Sequence, residues 1–186
     1  MRGFKLSPVW GLCLLLVAFT SIPALSDGFD DLEIGETAPD FTLRDLAEKR
    51  FTLSDSQGDI VVIQFGSSTT VPFVEQIKPM NDLVKKYKRE GVTFITVYTV
   101  EQMFDWQAAD YFEKYERAKG LRFQLGVQSG QRMGARVLVD DTDETVYKTY
   151  GSVPAGVFIV DQDENLAYKA RVVNASEVDK TLEKLM

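Results

Sequence analysis

The chain has 186 residues, 45% hydrophobic and 26% charged, with 28 acidic residues against 21 basic ones and a net charge of −7. That length suits one domain with an ordinary core, and the acidic balance argues against nucleic acid or an anionic membrane as partner. There is no histidine and a single cysteine, Cys13, which rules out a disulfide framework and argues against zinc or copper centres.

Residues 1–26 read as a secretory signal peptide. Arg2 and Lys5 make a positive start, Val9 to Phe19 an apolar core, and Ala24-Leu25-Ser26 a small-residue cleavage site. The apolar run is short of the roughly 20 residues a spanning helix needs. The expectation is therefore cleavage after Ser26, a mature single domain over 27–186, a secreted or periplasmic location and no stable membrane insertion. Removing the segment takes away Cys13, Arg2 and Lys5, so that 21 basic residues become 19 against 28 acidic ones.

Gly35 to Leu43 opens the domain, with Pro39 keeping Ala38 extended. Phe41–Leu43 and Arg50–Leu53 alternate as a short hairpin, and Ser56-Gln57-Gly58-Asp59 is a turn. Ile60 to Phe65 is a mostly β-branched apolar run, which predicts a strand buried on both faces. Gly66 and the cluster Ser67-Ser68-Thr69-Thr70 break it, and Pro72 sits where a first helical turn tolerates it. Helical spacing then predicts a helix from Val71 to Arg89, stopped by Gly91. Val92 to Val100 is the next strand, with Phe94, Thr96 and Tyr98 on one face and Ile95, Val97 and Thr99 on the other.

A second helix is expected over Asp105–Lys119, with Trp106, Ala109, Phe112 and Tyr115 as a core stripe. Gly120, Gly126, Gly130 and Gly134 punctuate what reads as a loop-rich stretch. A third strand follows over Arg136–Val139, then a short helix from Thr142 to Tyr150, strands Gly156–Val160 and Leu166–Val173, and a closing helix Ser176–Leu185. Asp161 to Asn165 reads as a polar turn, because a calcium loop would need a glycine where Leu166 stands and a glutamate where Val172 stands. Asp140 to Glu144 is a carboxylate cluster at a helix start, where negative charge is favoured anyway. Asn174-Ala175-Ser176 is a glycosylation sequon. No metal and no cofactor is expected.

The turn after the buried strand is the candidate site, because open α/β sheets bind ligands at the carboxyl ends of their strands. Thioredoxin-like proteins carry a Cys-x-x-Cys there, and Thr70-Val71-Pro72-Phe73 stands in its place. The turn resembles most closely that of the iodothyronine deiodinases, Phe-Gly-Ser-Cys-Thr-selenocysteine-Pro-Pro-Phe. Phe65, Gly66, Ser67, Thr69, Pro72 and Phe73 match, while Ser68 replaces the cysteine and Thr70 the selenocysteine. The similarity continues through Tyr98–Glu101, Gln131-Arg132, Val137–Asp140 and Tyr150–Pro154. Gly35-x-x-Ala38-Pro39-Asp40-Phe41 resembles the entry of peroxiredoxins of the AhpC/TSA type.

These resemblances imply a thioredoxin-like α/β fold: a central mixed β-sheet flanked by helices, with an N-terminal β-hairpin extension. They also imply a cis-proline at Val153–Pro154, facing the turn. Ser68, Thr70 and Phe73 are then degenerate active-site positions. Thr69, Thr70, Val71, Pro72, Val153, Pro154 and Glu101 are the expected binding residues, of a protein or small molecule in the groove between Thr70 and Pro154. A hydroxyl does not replace a thiolate as redox nucleophile, so the leading expectation is an exported deiodinase-like protein lacking thiol redox activity. Thr69 or Thr70 then serves to cap the helix. Three alternatives stand beside it: an oxidoreductase acting with a partner's thiol, a carboxylate catalyst using Glu101 or Asp105, and a structural envelope component.

Overall fold

The computed structural model of the chain describes residues 28–99, 111–129 and 134–186. The signal-peptide reading and the expectations for Glu101, Asp105, Trp106, Ala109, Gly130, Gln131 and Arg132 lie outside these residues. The elements in order are β1 (Thr42–Asp45), β2 (Arg50–Thr52), a 3-10 turn (Leu53–Ser56), β3 (Ile60–Gly66), α1 (Val71–Lys86) and β4 (Val92–Tyr98). Then come α2 (Tyr111–Ser129), β5 (Arg136–Val139), α3 (Thr145–Thr149), β6 (Val157–Val160), β7 (Leu166–Ala170) and α4 (Ala175–Leu185).

The strands form one mixed sheet of seven in the order β2-β1-β5-β4-β3-β6-β7. β3, β4 and β5 run parallel, and the flanking pairs are antiparallel. Parallel neighbours need crossovers long enough to hold a helix, and α1 and α2 supply them. The expected α/β architecture and the N-terminal hairpin are both present. All seven residues of β3 are buried, as its unbroken apolar run requires. Val61, Ile63 and Phe65 face a core with Ile95, Val97 and Leu138 beneath α3 and the hairpin. Ile60 and Val62 face Met80, Leu83, Val178 and Leu182 of α1 and α4 on the opposite side. Gln64, buried among them, is satisfied by donating to Thr96 Oγ1 at 2.7 Å.

Three local expectations are corrected. The stretch past Gly120 is helical, since α2 continues to Ser129; an interior glycine costs roughly 1 kcal/mol but does not forbid a helix. The buried stripe of α2 is also shifted. Tyr115 and Ala118 are core, Tyr111 stacks on Tyr115, and Phe112 is 69% exposed; positions 111, 115 and 118 share one helical face and 112 falls off it. Finally, α3 begins at Thr145, later than Thr142, because Glu144 before it takes the left-handed conformation (φ 56°) and ends the turn there.

Candidate functional site

β3 ends at Gly66 with no room for a side chain. A Cβ there would lie 2.2 Å from Cγ of Phe73, whose ring covers the glycine. This contact draws the first turn of α1 onto the strand end and buries Phe73 (1% exposed). Phe73, expected as a degenerate active-site position, is therefore a core residue.

Between strand and helix the chain makes one tight turn, with Thr70 N–H donating to Ser67 C=O at 3.2 Å. Val74 N–H then bonds Thr70 C=O at 3.0 Å and starts the helix. Thr70 occupies the N-cap position with an extended backbone, but its side chain does not cap. Its hydroxyl pairs instead with Ser67 Oγ at 2.9 Å, and Thr69 Oγ1 lies 3.1 Å from the same atom. The capping expectation is corrected on this point: the buried hydroxyl of Ser67 competes for Thr70 and wins. Ser67 and Thr70 are buried, Ser68 and Thr69 half-buried, and Val71 and Pro72 exposed. No acidic residue stands in the first turn of α1, so the positive end of the helix dipole is not neutralised by its own side chains.

The loop before β6 comes up beside this turn. Phe65 N–H donates to Gly156 C=O at 2.9 Å, and Ala155 packs in the same cluster as Phe73. Val153 is buried and Pro154 half-buried. No cis peptide bond occurs among the described residues, so the cis-proline expectation is corrected. Gly156 N–H donates to Val153 C=O at 3.0 Å, which makes Pro154 the second residue of a β-turn, where the fixed φ of a trans-proline fits. The turn and the Pro154 loop are thus brought together through Phe73 and Ala155, and Glu101 lies outside the described residues.

A second polar group, expected from the sequence only as a carboxylate cluster at a helix start, sits two strands away at the same end of the sheet. Asp140 follows β5 and is fully buried. Its carboxylate accepts the N–H groups of Asp141, Val146 and Tyr147 at 2.9, 3.2 and 2.8 Å. Burial pushes its pKa up, against those bonds and the nearby Lys114. Lys114 of α2, itself buried, donates to the Glu144 carboxylate and to Asp141 C=O. Glu144 is also raised by burial, against the lysine, and Tyr147 is pushed up to about 12 by burial and by Glu144. The signal in the sequence was a lone basic residue, Lys114, on the buried side of an aromatic helix.

The turn can therefore offer hydroxyl groups and a helix N-terminus, and the described residues carry no sulfur nucleophile and no imidazole beside it.

A model of the AhpC/TSA family matches residues 34–169. The thiol-disulfide oxidoreductase ResA of Bacillus cereus is 26% identical over 170 residues, covering 91% of this chain and 84% of that one. Among solved structures, the thioredoxin domain of a thiol-disulfide oxidoreductase from Bacteroides vulgatus superposes with a TM-score of 0.61 at 19% identity, over 82% of this chain and 97% of that domain. The exposed lipoprotein thioredoxin of Streptococcus pneumoniae superposes with a TM-score of 0.57 at 18% identity, over 79% and 100%. The fold is thioredoxin-like. These names correct two expectations: the relatives are thiol-disulfide oxidoreductases and not deiodinases, and they point toward thiol redox chemistry where its absence was expected.

Proposed function

The chain belongs to the AhpC/TSA family, and from that premise we propose that it acts in thiol–disulfide exchange, as a thioredoxin-class oxidoreductase whose reacting sulfurs come from its partner. The observation that carries this reading is the turn itself. Ser67 and Thr70 hydroxyls lie at the N-terminus of α1, at the carboxyl end of a central parallel strand, where thioredoxin-like proteins place their redox pair. The names of the relatives support the class of reaction. The only cysteine, Cys13, falls within residues 1–26, which on this reading are a leader removed on export, so the sulfur is brought to the turn by the partner.

The step is an exchange between one cysteine thiolate and one disulfide of the partner. A partner thiolate, held at the helix N-terminus, attacks one sulfur of the disulfide. One S–S bond forms as another breaks, and the displaced sulfur leaves as a thiolate, so electrons balance within the partner. The helix end favours the anionic sulfur, and the Ser67–Thr70 pair offers it a hydroxyl hydrogen. The exposed Val71 and Pro72 and the half-buried Pro154 form the apolar rim against which a cysteine-bearing segment lies. Export fits the same reading, supported by the charged and apolar pattern of residues 1–26 and by likeness to an exposed lipoprotein thioredoxin.

The test is the rate of disulfide exchange between two cysteine-bearing peptides, with and without the protein at catalytic amounts. The expected result is acceleration that weakens in Ser67→Ala. Equal rates with and without the protein, across a set of apolar and polar peptides, overturn the proposal.

A further inference from the structure

The three parallel strands end on one cross-strand row. Gly66 pairs with Tyr98, and Tyr98 with Val139, so the next residues, Ser67, Thr99 and Asp140, are neighbours at the strand spacing of about 4.8 Å. Thr99 N–H donating to Gly66 C=O at 3.2 Å continues the ladder to that row. All three follow residues of the α3-side core by two positions, namely Phe65, Val97 and Leu138, so alternation turns them to that side. All three are 0% exposed.

Their hydrogen bonding is unequal. Ser67 Oγ pairs with the two threonines of the turn. Asp140 has about four lone-pair positions as a carboxylate; Oδ1 uses two and Oδ2 one, leaving one on Oδ2. Residue 99 stands between them on the row, and Thr99 Oγ1 has no partner among the described residues. A buried donor left unmade is costly, whereas a water in a polar pocket with two or more partners satisfies it.

We propose that Thr99 is a positioning residue: with the remaining lone pair of Asp140 it holds one ordered water behind the turn, and through that water it sets the direction of the Ser67 hydroxyl. With the water donating to Asp140 and accepting from Thr99, its second hydrogen is left for Ser67 Oγ. Ser67 then turns its own hydrogen toward Thr70 and the helix N-terminus, where an anionic sulfur would sit. The charged groups around Asp140 are Lys114 of α2 and Asp141 and Glu144 of the β5–α3 connection, and they keep the acceptor end of this chain fixed. The consequence for sulfur chemistry rests on the function proposed above; the water and the hydroxyl direction do not.

The experiment uses the full chain carrying Cys13→Ser, with Thr70→Cys as a reporter sulfur at the helix N-terminus. Thr99→Val keeps the shape and removes the hydroxyl; Thr99→Ser restores it. The expected result is that Thr99→Val lowers Tm and slows alkylation of the reporter about threefold at neutral pH, the size of one lost neutral hydrogen bond, while Thr99→Ser alkylates at the original rate. A Tm that rises or stays level in Thr99→Val shows the hydroxyl to be unbonded and overturns the proposal. A lower Tm with an unchanged alkylation rate, or no rescue by Thr99→Ser, overturns the positioning role. Water-edited NMR on the unsubstituted chain needs no folded variant: a long-lived water contacting the Thr99 methyl is expected, and its absence overturns the site. None of these readouts uses a partner disulfide, so the exchange test above can fail while this one succeeds, and the reverse.

Discussion

Two polar groups close the carboxyl end of the parallel strands, and they are built on opposite principles. At the end of β3, Ser67, Thr69 and Thr70 are small, uncharged and bonded mainly to one another. At the end of β5, Asp140 and Lys114 are charged, buried and tied to backbone N–H and C=O groups, and Lys114 also pairs with the half-buried Glu144. Strongly perturbed carboxyls in a fold usually draw attention as catalytic. Here they belong to the region that locks α2 and α3 to the sheet, while the region proposed for chemistry has no charged side chain of its own. A buried carboxylate tied to three backbone N–H groups, as Asp140 is, is stiff, and a cluster of hydroxyls can redirect its hydrogens toward an incoming group.

The comparison breaks most visibly at Asp140. Asp140→Ala leaves two α3 N–H groups unbonded and removes an anion facing Lys114, at a cost of about 3–5 kcal/mol. Urea denaturation measures it, and a loss under about 1 kcal/mol would mean that the β5 end is not a lock. Next comes the turn. Gly66→Ala puts a methyl group into the Phe73 ring and costs about 1–3 kcal/mol by overpacking. Amide exchange should quicken in the first turn of α1 and stay level at Val146 and Tyr147; equal quickening at both would join the two regions into one unit.

The pH dependence is a smaller effect with a definite sign. The folded pKa of Glu144 is raised by burial, so the folded state binds the proton more tightly than the unfolded chain does. Its contribution to stability is fully present below the ordinary value of 4.5 and is lost as pH rises through the raised folded value. Glu144→Gln, which cannot titrate, should therefore cost more below pH 4.5 than at neutral pH. A cost that grows as pH rises would show the lysine pair outweighing burial. Asp45 behaves in the opposite sense, since backbone bonds and Arg136 lower its pKa despite burial, and its contribution is lost as pH falls through the lowered value. The smallest expected change is Pro154→Ala. The β-turn keeps its Val153–Gly156 bond, and the cost is about 0.4–1 kcal/mol through the freer unfolded chain. A loss of several kcal/mol would make the Pro154 loop a structural lock like Asp140.

Much of the architecture was legible in the order of residues alone. The unbroken run Ile60–Phe65 had to be a doubly buried strand, and the apolar spacing after Pro72 had to be a helix. The turn between them was found from Gly66 and the Ser/Thr cluster alone. The expectation of no thiol redox activity came from the same inventory of residues, and an inventory records what a chain lacks, not what a partner brings to it. The motif match gives Phe73 a position in the turn, but not that its ring packs over Gly66, where the missing Cβ leaves room for it.

What the sequence by itself determined is the order of strands and helices, the place of the turn, and the absence of thiol and imidazole after Cys13. These follow from local periodicity, backbone preference and residue identity, which need no distant neighbour. Tertiary structure alone decided which groups the hydroxyls of the turn pair with, that Pro154 sits in a trans β-turn, that α2 runs on through its glycines, and that Lys114 meets Glu144 thirty residues away. Each of these is settled by competition for a buried hydrogen-bond partner or a packing surface. The competitors come from different strands and helices, so their encounter is written only in the folded chain.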